Sequence, residues 1–322
     1  MVSWLDRLQR RSRAAGFAIA VIYKYVDDQG GYLAALITYY AFVSLFPLLL
    51  LLTTVLGVVL AGHPQVQHQV LDSALIQFPV IGDQLTDPQH LSGGAIAVVV
   101  GIAGALYGGL GVGQALQNAM ESIWAVPRHK RPDPIRSRLR SLILLVLLGT
   151  ALMGATLLSA LARESATLGV AGRAGVMVAA VAVNALVCLV AFRVTTTRRL
   201  SFRQIAPGAI IAAVLWQLLQ VFGATYVTHV VKSASTTNSV FALVLGLLAF
   251  LYLTSVALII CAEINAVAVD HLYPRALLAP FTDDVALTTG DRKTYAGQAK
   301  AQQAKGFERI HVSFHPKSDP EN

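Results

Sequence analysis

Charge is scarce in this sequence. Asp, Glu, Lys and Arg make up 13% of its 322 residues, whereas a soluble globular chain carries about 25%. With 55% of residues hydrophobic, too few polar residues remain to cover a water-soluble exterior. Cysteine is nearly absent: the two present, Cys188 and Cys261, exclude a disulfide scaffold or a CxxC site and read as small buried hydrophobes. The histidines His63, His68, His90, His229 and His271 show neither HExxH nor paired ligand spacing, so no metal is expected. No Ser/His/Asp set can be assembled, and no segment holds a carboxylate pair suited to acid–base catalysis. The sequence therefore predicts no enzyme activity and no cofactor. The ten-residue alternation of a membrane β-barrel is also missing.

What is present is a set of six charge-free runs: Leu33–Leu60, Leu91–Met120, Ser141–Ala162, Ala174–Phe192, Gln204–Val231 and Ser233–Ala262. Each can span the roughly 20 residues that a helix needs to cross a bilayer, and backbone groups in lipid must be paired within the helix. The expected fold is all-α: a polytopic membrane protein with six transmembrane helices. The expected spans are about 33–61, 93–118, 142–161, 172–192, 205–228 and 240–262, the last continuing to about 272. Residues 1–32 form an N-terminal unit whose 2–27 stretch reads as an amphipathic interfacial helix. It carries Trp4, Leu5, Leu8, Ile19 and Ile22 on one side and Arg7, Arg10, Arg11 and Arg13 largely elsewhere. Residues 33–273 form the membrane domain. Residues 274–322 are polar and of mixed charge, and are expected to be a mostly disordered tail. A short amphipathic helix is expected near 66–78, in the connection after the first span.

The net charge of +8 raises nucleic acid as a partner, but its distribution answers otherwise. All but three of the 25 Lys and Arg fall in the N-terminal segment, the second and fourth connections and the tail; Arg163, Arg173 and Lys232 are the exceptions. Cytoplasmic segments retain Lys and Arg, so both termini are expected inside. The basic clusters then face anionic lipid headgroups, and no nucleic-acid partner is expected.

Polar residues within the runs are the candidate site. Tyr39, Tyr40 and Ser44 on the first span, Gln114, Gln117, Asn118 and Glu121 on the second, Arg193 ending the fourth, Gln217 on the fifth, and Glu263 and Asn265 ending the sixth are drawn from several spans. Most fall near one depth, with Gln217 closer to mid-membrane. Intramembrane polar groups mark pathways, and these residues suggest a cytoplasm-facing pocket. The competing reading is interhelical hydrogen bonding and interface anchoring. For Glu263 the expected neighbours are Tyr39 or Tyr40 and the end of the second span, with Arg193 as counter-ion. Gly104/Gly108 and Gly109/Gly113 are small-xxx-small pairs suited to close helix packing, and Pro47 is a kink candidate in the first span. A dinucleotide loop at Gly109-x-Gly111-x-Gly113 is excluded by its place inside a span.

The stretch Ala34-Ala35-Leu36-Ile37-Thr38-Tyr39-Tyr40-Ala41-Phe42-Val43-Ser44-Leu45-Phe46-Pro47-Leu48 resembles the first span of the YihY/virulence factor BrkB family. Three further matches follow in order: Trp124-Ala125-Val126-Pro127-Arg128, Ala206-Pro207-Gly208-Ala209 with Trp216, and Ala262-Glu263-Ile264-Asn265. The resemblance spans roughly residues 15–272. It departs at Thr236-Thr237-Asn238-Ser239, where the family often has Tyr-Gly, and at Cys261, where it often has Gly. The resemblance implies a multi-pass protein of the bacterial cytoplasmic (inner) membrane with an envelope role and lipid or solute export. Some members carry a ribonuclease BN label; this chain argues against that activity, since its basic loops are explained by topology. The expected function is a transporter or lipid-translocating protein, and the alternative is a non-transporting envelope scaffold or regulator.

Overall fold

The structure is a computed structural model and describes residues 12–59, 95–165, 169–226, 236–283 and 285–314. Residues 1–11, 60–94 and 227–235 lie outside the described residues; they include Trp4, the short helix expected near 66–78, and His63, His68, His90 and His229. Among the described residues the fold is helical throughout, without a strand. The α-helices are α1 (Arg13–Asp27), α2 (Gly30–Val59), α3 (Ala95–Ile123), α4 (Pro134–Ser165), α5 (Gly169–Thr195), α6 (Phe202–Tyr226), α7 (Thr236–Asp270) and α8 (Thr289–Ala301). The shortest of α2 to α7 has 25 residues, about 37 Å at 1.5 Å per residue. Among the described residues, three stretches are both long and apolar enough to cross a membrane: Met177–Thr195, Phe202–Gly223 and Phe241–Asp270.

The six long helices close a ring. α2 packs on α3, α3 on α4, α4 on α5, α5 on α6, α6 on α7, and α7 returns to α2. α3 also touches α5 and α7, so it runs closest to the centre. Its glycines make this possible. Gly104 and Gly108 lie against Pro47 and Ser44 of α2, and Gly109 and Gly113 against Leu145 and Ser141 of α4. A Cβ at Gly104 would stand 2.6 Å from Pro47 Cγ, and one at Gly109 would stand 2.9 Å from Leu145 Cδ1. Small residues thus let three backbones approach, as packing in lipid requires. Pro47 sits inside α2, its ring filling the space beside Gly104.

Polarity is inverted relative to a soluble protein. Val178, Val221, Phe222, Phe241 and Leu245 are exposed on the outside, while Gln117, Glu121, Glu263 and Asn265 are buried. Exposed apolar surface on this scale belongs against lipid. The well-packed core gathers at one end, where Ala119, Met120, Ile123, Ile205, Ala209, Ile259 and Ala262 pack together.

That end is capped by the two terminal helices. α1 lays Ala20 and Val21 against Val267 and Leu272. The chain after Pro274 departs from the expected disorder: α8 is a formed helix whose Thr288 and Asp291 make a reciprocal capping box. Composition missed it because its anchor is a single buried cation rather than an apolar face. Arg275 is fully buried; it pairs with Asp291, reaches Asp27 of α1 at 2.9 Å and stacks near the Tyr295 ring. Burial would lower its pKa, but Asp291 and Asp27 outweigh that and raise it.

Candidate functional site

The capped end holds a buried cluster of charge. α1 ends at a left-handed Gln29, φ 55°, which turns the chain sharply into α2. This turn holds Lys24 and Asp28, one helical turn apart, against the body of the bundle. Lys24 Nζ pairs with Asp28, donates to the Ile123 carbonyl at 2.9 Å, and lies 3.4 Å from Glu263 Oε2. The Ile123 carbonyl belongs to the last turn of α3, the negative end of that helix, which favours a cation. Burial alone would pull the Lys24 pKa down; Glu263 and then Asp28 outweigh it and hold it above the ordinary lysine range. Glu263 is completely buried, and among the described residues neither of its oxygens receives a hydrogen bond.

A second cluster sits beside it. α3 and α7 both finish in left-handed caps at non-glycine residues, Ala125 with φ 48° and His271 with φ 51°. Val126 N–H reaches back to the Glu121 carbonyl, and Leu272 N–H to that of Val267, the pairing that closes a Schellman cap. The Glu121 carboxylate accepts from the Thr197 backbone N–H at 2.8 Å and from the Thr197 hydroxyl, tying α3 to the turn between α5 and α6. Gln117 donates to Ser137 and Ser141 of α4, both at 2.9 Å. Arg198 closes the rim: it holds Asp270 through two bonds of 2.7 and 2.5 Å and lies 5.0 Å over the Trp124 ring.

Asn265 joins two of the sequence motifs. Its Oδ1 accepts from Gly208 N–H at 2.8 Å and its Nδ2 donates to the Ile205 carbonyl at 3.1 Å. Pro207, inside α6, has no N–H to give, and the Asn265 amide stitches the backbone around it to α7. Gly208 has no alternative residue here, since a Cβ would run into the Cys261 carbonyl.

The candidate residues therefore divide. Glu263, Asn265, Glu121 and Gln117 gather at the capped end in separate groups. Tyr39, Gln114 and Asn118 are exposed, and Asn118 accepts from Arg131 at 3.3 Å. Tyr40 stacks edge-on with Tyr39 and Tyr107 rather than reaching Glu263, and Ser44 Oγ bonds its own helix at Ala41. Gln217 is half-buried, within the apolar stretch of α6. Arg193 is not the counter-ion of Glu263: it donates to the Leu200 carbonyl at 2.7 Å and covers the Phe202 ring. Depth alone could not separate it from Lys24, because helix rotation decides which cation faces inward. Lys24, Asp28, Thr197, Arg198 and Arg275 escaped the sequence reading; the signal was Lys24-x-x-x-Asp28, an i, i+4 pair in a largely apolar helix. No group of three or more metal-ligating side chains occurs among the described residues.

Neither the curated proteins nor the solved structures contain a match. The family model for virulence factor BrkB matches residues 21–281. This stretch runs from α1 past the end of α7 and takes in both the Lys24–Glu263 cluster and the Asn265–Gly208 joint, and on that match the chain belongs to the virulence factor BrkB family.

Proposed function

We propose that the protein is a six-span translocator of a lipid or small solute in the bacterial cytoplasmic membrane, with both termini in the cytoplasm and the capped end as its closed inner gate. One observation carries the reading: a carboxylate without a hydrogen-bond donor lies fully buried at the floor of the bundle, held by a single lysine on a peripheral helix. A buried ion pair is weak support for stability, since apolar packing of similar volume serves as well or better. Ionisable groups inside membrane bundles belong to pathways and gates. The lysine comes from α1, which packs on the outside of the bundle against α7 and α2, so the charges separate if α1 swings away. The scaffold reading draws on a different feature, the docking of α8 on α1 and on the loop before α4 through Gln298–Asp28 and His129–Gln303.

The test is reconstitution in vesicles of phosphatidylethanolamine and phosphatidylglycerol. Protein-dependent flipping of a fluorescent phospholipid, or uptake from a panel of labelled amino acids, sugars and organic anions, is the expected result. In a chain with Cys188 and Cys261 replaced by alanine, Val21→Cys and Val267→Cys bridged by a short thiol crosslinker should stop that movement, and cleaving the bridge should restore it. Vesicles containing the protein that behave like empty vesicles in every assay overturn the translocator and leave the scaffold.

A further inference from the structure

The trio of Lys24, Asp28 and Glu263 is unbalanced. Two carboxylates share one ammonium, and all three side chains are at most 5% exposed. The Ile123 carbonyl at the same ammonium adds the negative end of α3 rather than relieving it. The other elements around Glu263 bring no further cation among the described residues. α6 presents Ile205, Gly208 and Ala209, and α2 presents Thr38, whose hydroxyl meets Ser255. On α1, Tyr25 places its hydroxyl beside Gly31, next to that of Tyr252. α8 offers the neutral amide of Gln298, and it goes to Asp28. Arg275 and Asp291 face Asp27. Asp28 thus has two donors, Lys24 and Gln298, while Glu263 has none within hydrogen-bond geometry. Both carboxyl groups are nevertheless neighbours, because each lies at the one Lys24 ammonium, and two neighbouring carboxyl groups bond to each other only when a proton lies between them.

We propose that this trio is a proton-binding site, with the proton on Glu263 and with Lys24 and Asp28 remaining a charged pair. Binding adds a proton from water to a lone pair of a Glu263 oxygen and forms one O–H bond. That O–H removes the second negative charge from the shared ammonium, and the neighbouring Asp28 carboxylate is its acceptor. Charge balance then has a mechanical consequence. With Glu263 neutral, α1 can leave α7 carrying the self-compensated Lys24–Asp28 pair, and no charge is stranded at the bundle floor. With Glu263 ionised, the same movement strands a buried carboxylate. The proton is therefore a latch release for α1. The inference concerns proton occupancy and holds whether or not the protein translocates anything.

Infrared spectroscopy of the full chain in lipid tests it. At neutral pH the spectrum should contain the carbonyl stretch of a protonated carboxylic acid. Glutamate labelled with heavy carbon at the side-chain carboxyl should shift that band, and aspartate labelled in the same way should not. The band should vanish in Glu263→Gln and persist in Glu121→Gln. Three outcomes overturn the proposal: no band in the wild type, a band moved by the aspartate label, or a band lost in Glu121→Gln. Should Glu263→Gln fail to insert, the labelled wild type and Glu121→Gln still decide the question.

Discussion

Single side chains at the capped end are used to satisfy backbone as much as to carry charge. Asn265 shows this most directly, because its one amide serves a donor and an acceptor of α6 around Pro207. Removing it leaves a buried N–H and a buried carbonyl without that partner, at a cost of about 1–3 kcal/mol for each unsatisfied group. Asn265→Ala should lower the melting temperature in detergent, whereas Gln114→Ala at an exposed position should not. Equal melting of the two variants would show that the joint contributes nothing. The sequence made Asn265 and Glu263 legible as polar residues at the end of a charge-free run. It did not reveal their partners, since Gly208, Ile205, Lys24 and Asp28 lie 57 residues or more away along the chain. Depth pointed to Arg193 as the counter-ion of Glu263; the docking of α1 puts Lys24 there instead, and Arg193 turns to the Leu200 carbonyl.

At the scale of elements, α3 is the strut on which the bundle is assembled, and its glycines face two ways. Gly104 and Gly108 meet α2, and Gly109 and Gly113 meet α4. The small-xxx-small spacing predicted contact, and four residues per turn-and-a-tenth is why each pair shares one face. What the spacing leaves open is which helix lies on which face. Gly108→Leu should push α2 away at Ser44, where even a Cβ meets backbone, and should lower thermal stability in detergent. Gly149→Leu is the matched control, because nothing lies within 4 Å of a Cβ there. Equal loss in both variants would point to glycine's helix propensity rather than to packing. α8 was the element least legible in sequence. Its residues Thr289–Ala301 are polar, and its docking depends on Arg275 bridging Asp291 to Asp27 and on Gln298 meeting Asp28, contacts between segments far apart in the chain.

For the whole molecule, the same end of the bundle collects α1, α8, the loop between α3 and α4, and the turn between α5 and α6. Lys24 reaches Ile123, His129 meets Gln303, Glu121 holds Thr197, and Arg198 holds Asp270. These are also the segments that carry nearly all of the Lys and Arg of the chain. Clustering in space puts all of them at one end of the bundle, and in the proposed topology the retention of Lys and Arg makes that end the cytoplasmic one. Among the described residues, three of the long helices are apolar enough by themselves to cross a bilayer; the charge-free runs predict that α2, α3 and α4 cross as well. Single cysteines in a background with Cys188 and Cys261 replaced by alanine distinguish the arrangements. Arg136, Arg199 and Lys300 are exposed positions in the first turn of α4, the α5–α6 turn and α8. Arg136→Cys, Arg199→Cys and Lys300→Cys should react with a membrane-impermeant thiol reagent only after the membrane is opened. Gln67→Cys, in the connection after α2, should react in intact cells. An odd number of crossings between Gln67 and Arg136 requires opposite labelling of those two sites. An even number between Arg136, Arg199 and Lys300 requires that these three agree. Labelling of Arg136→Cys and Gln67→Cys from the same side would remove α3 as a span, and labelling of Lys300→Cys from outside would overturn the proposed cytoplasmic placement of the cap.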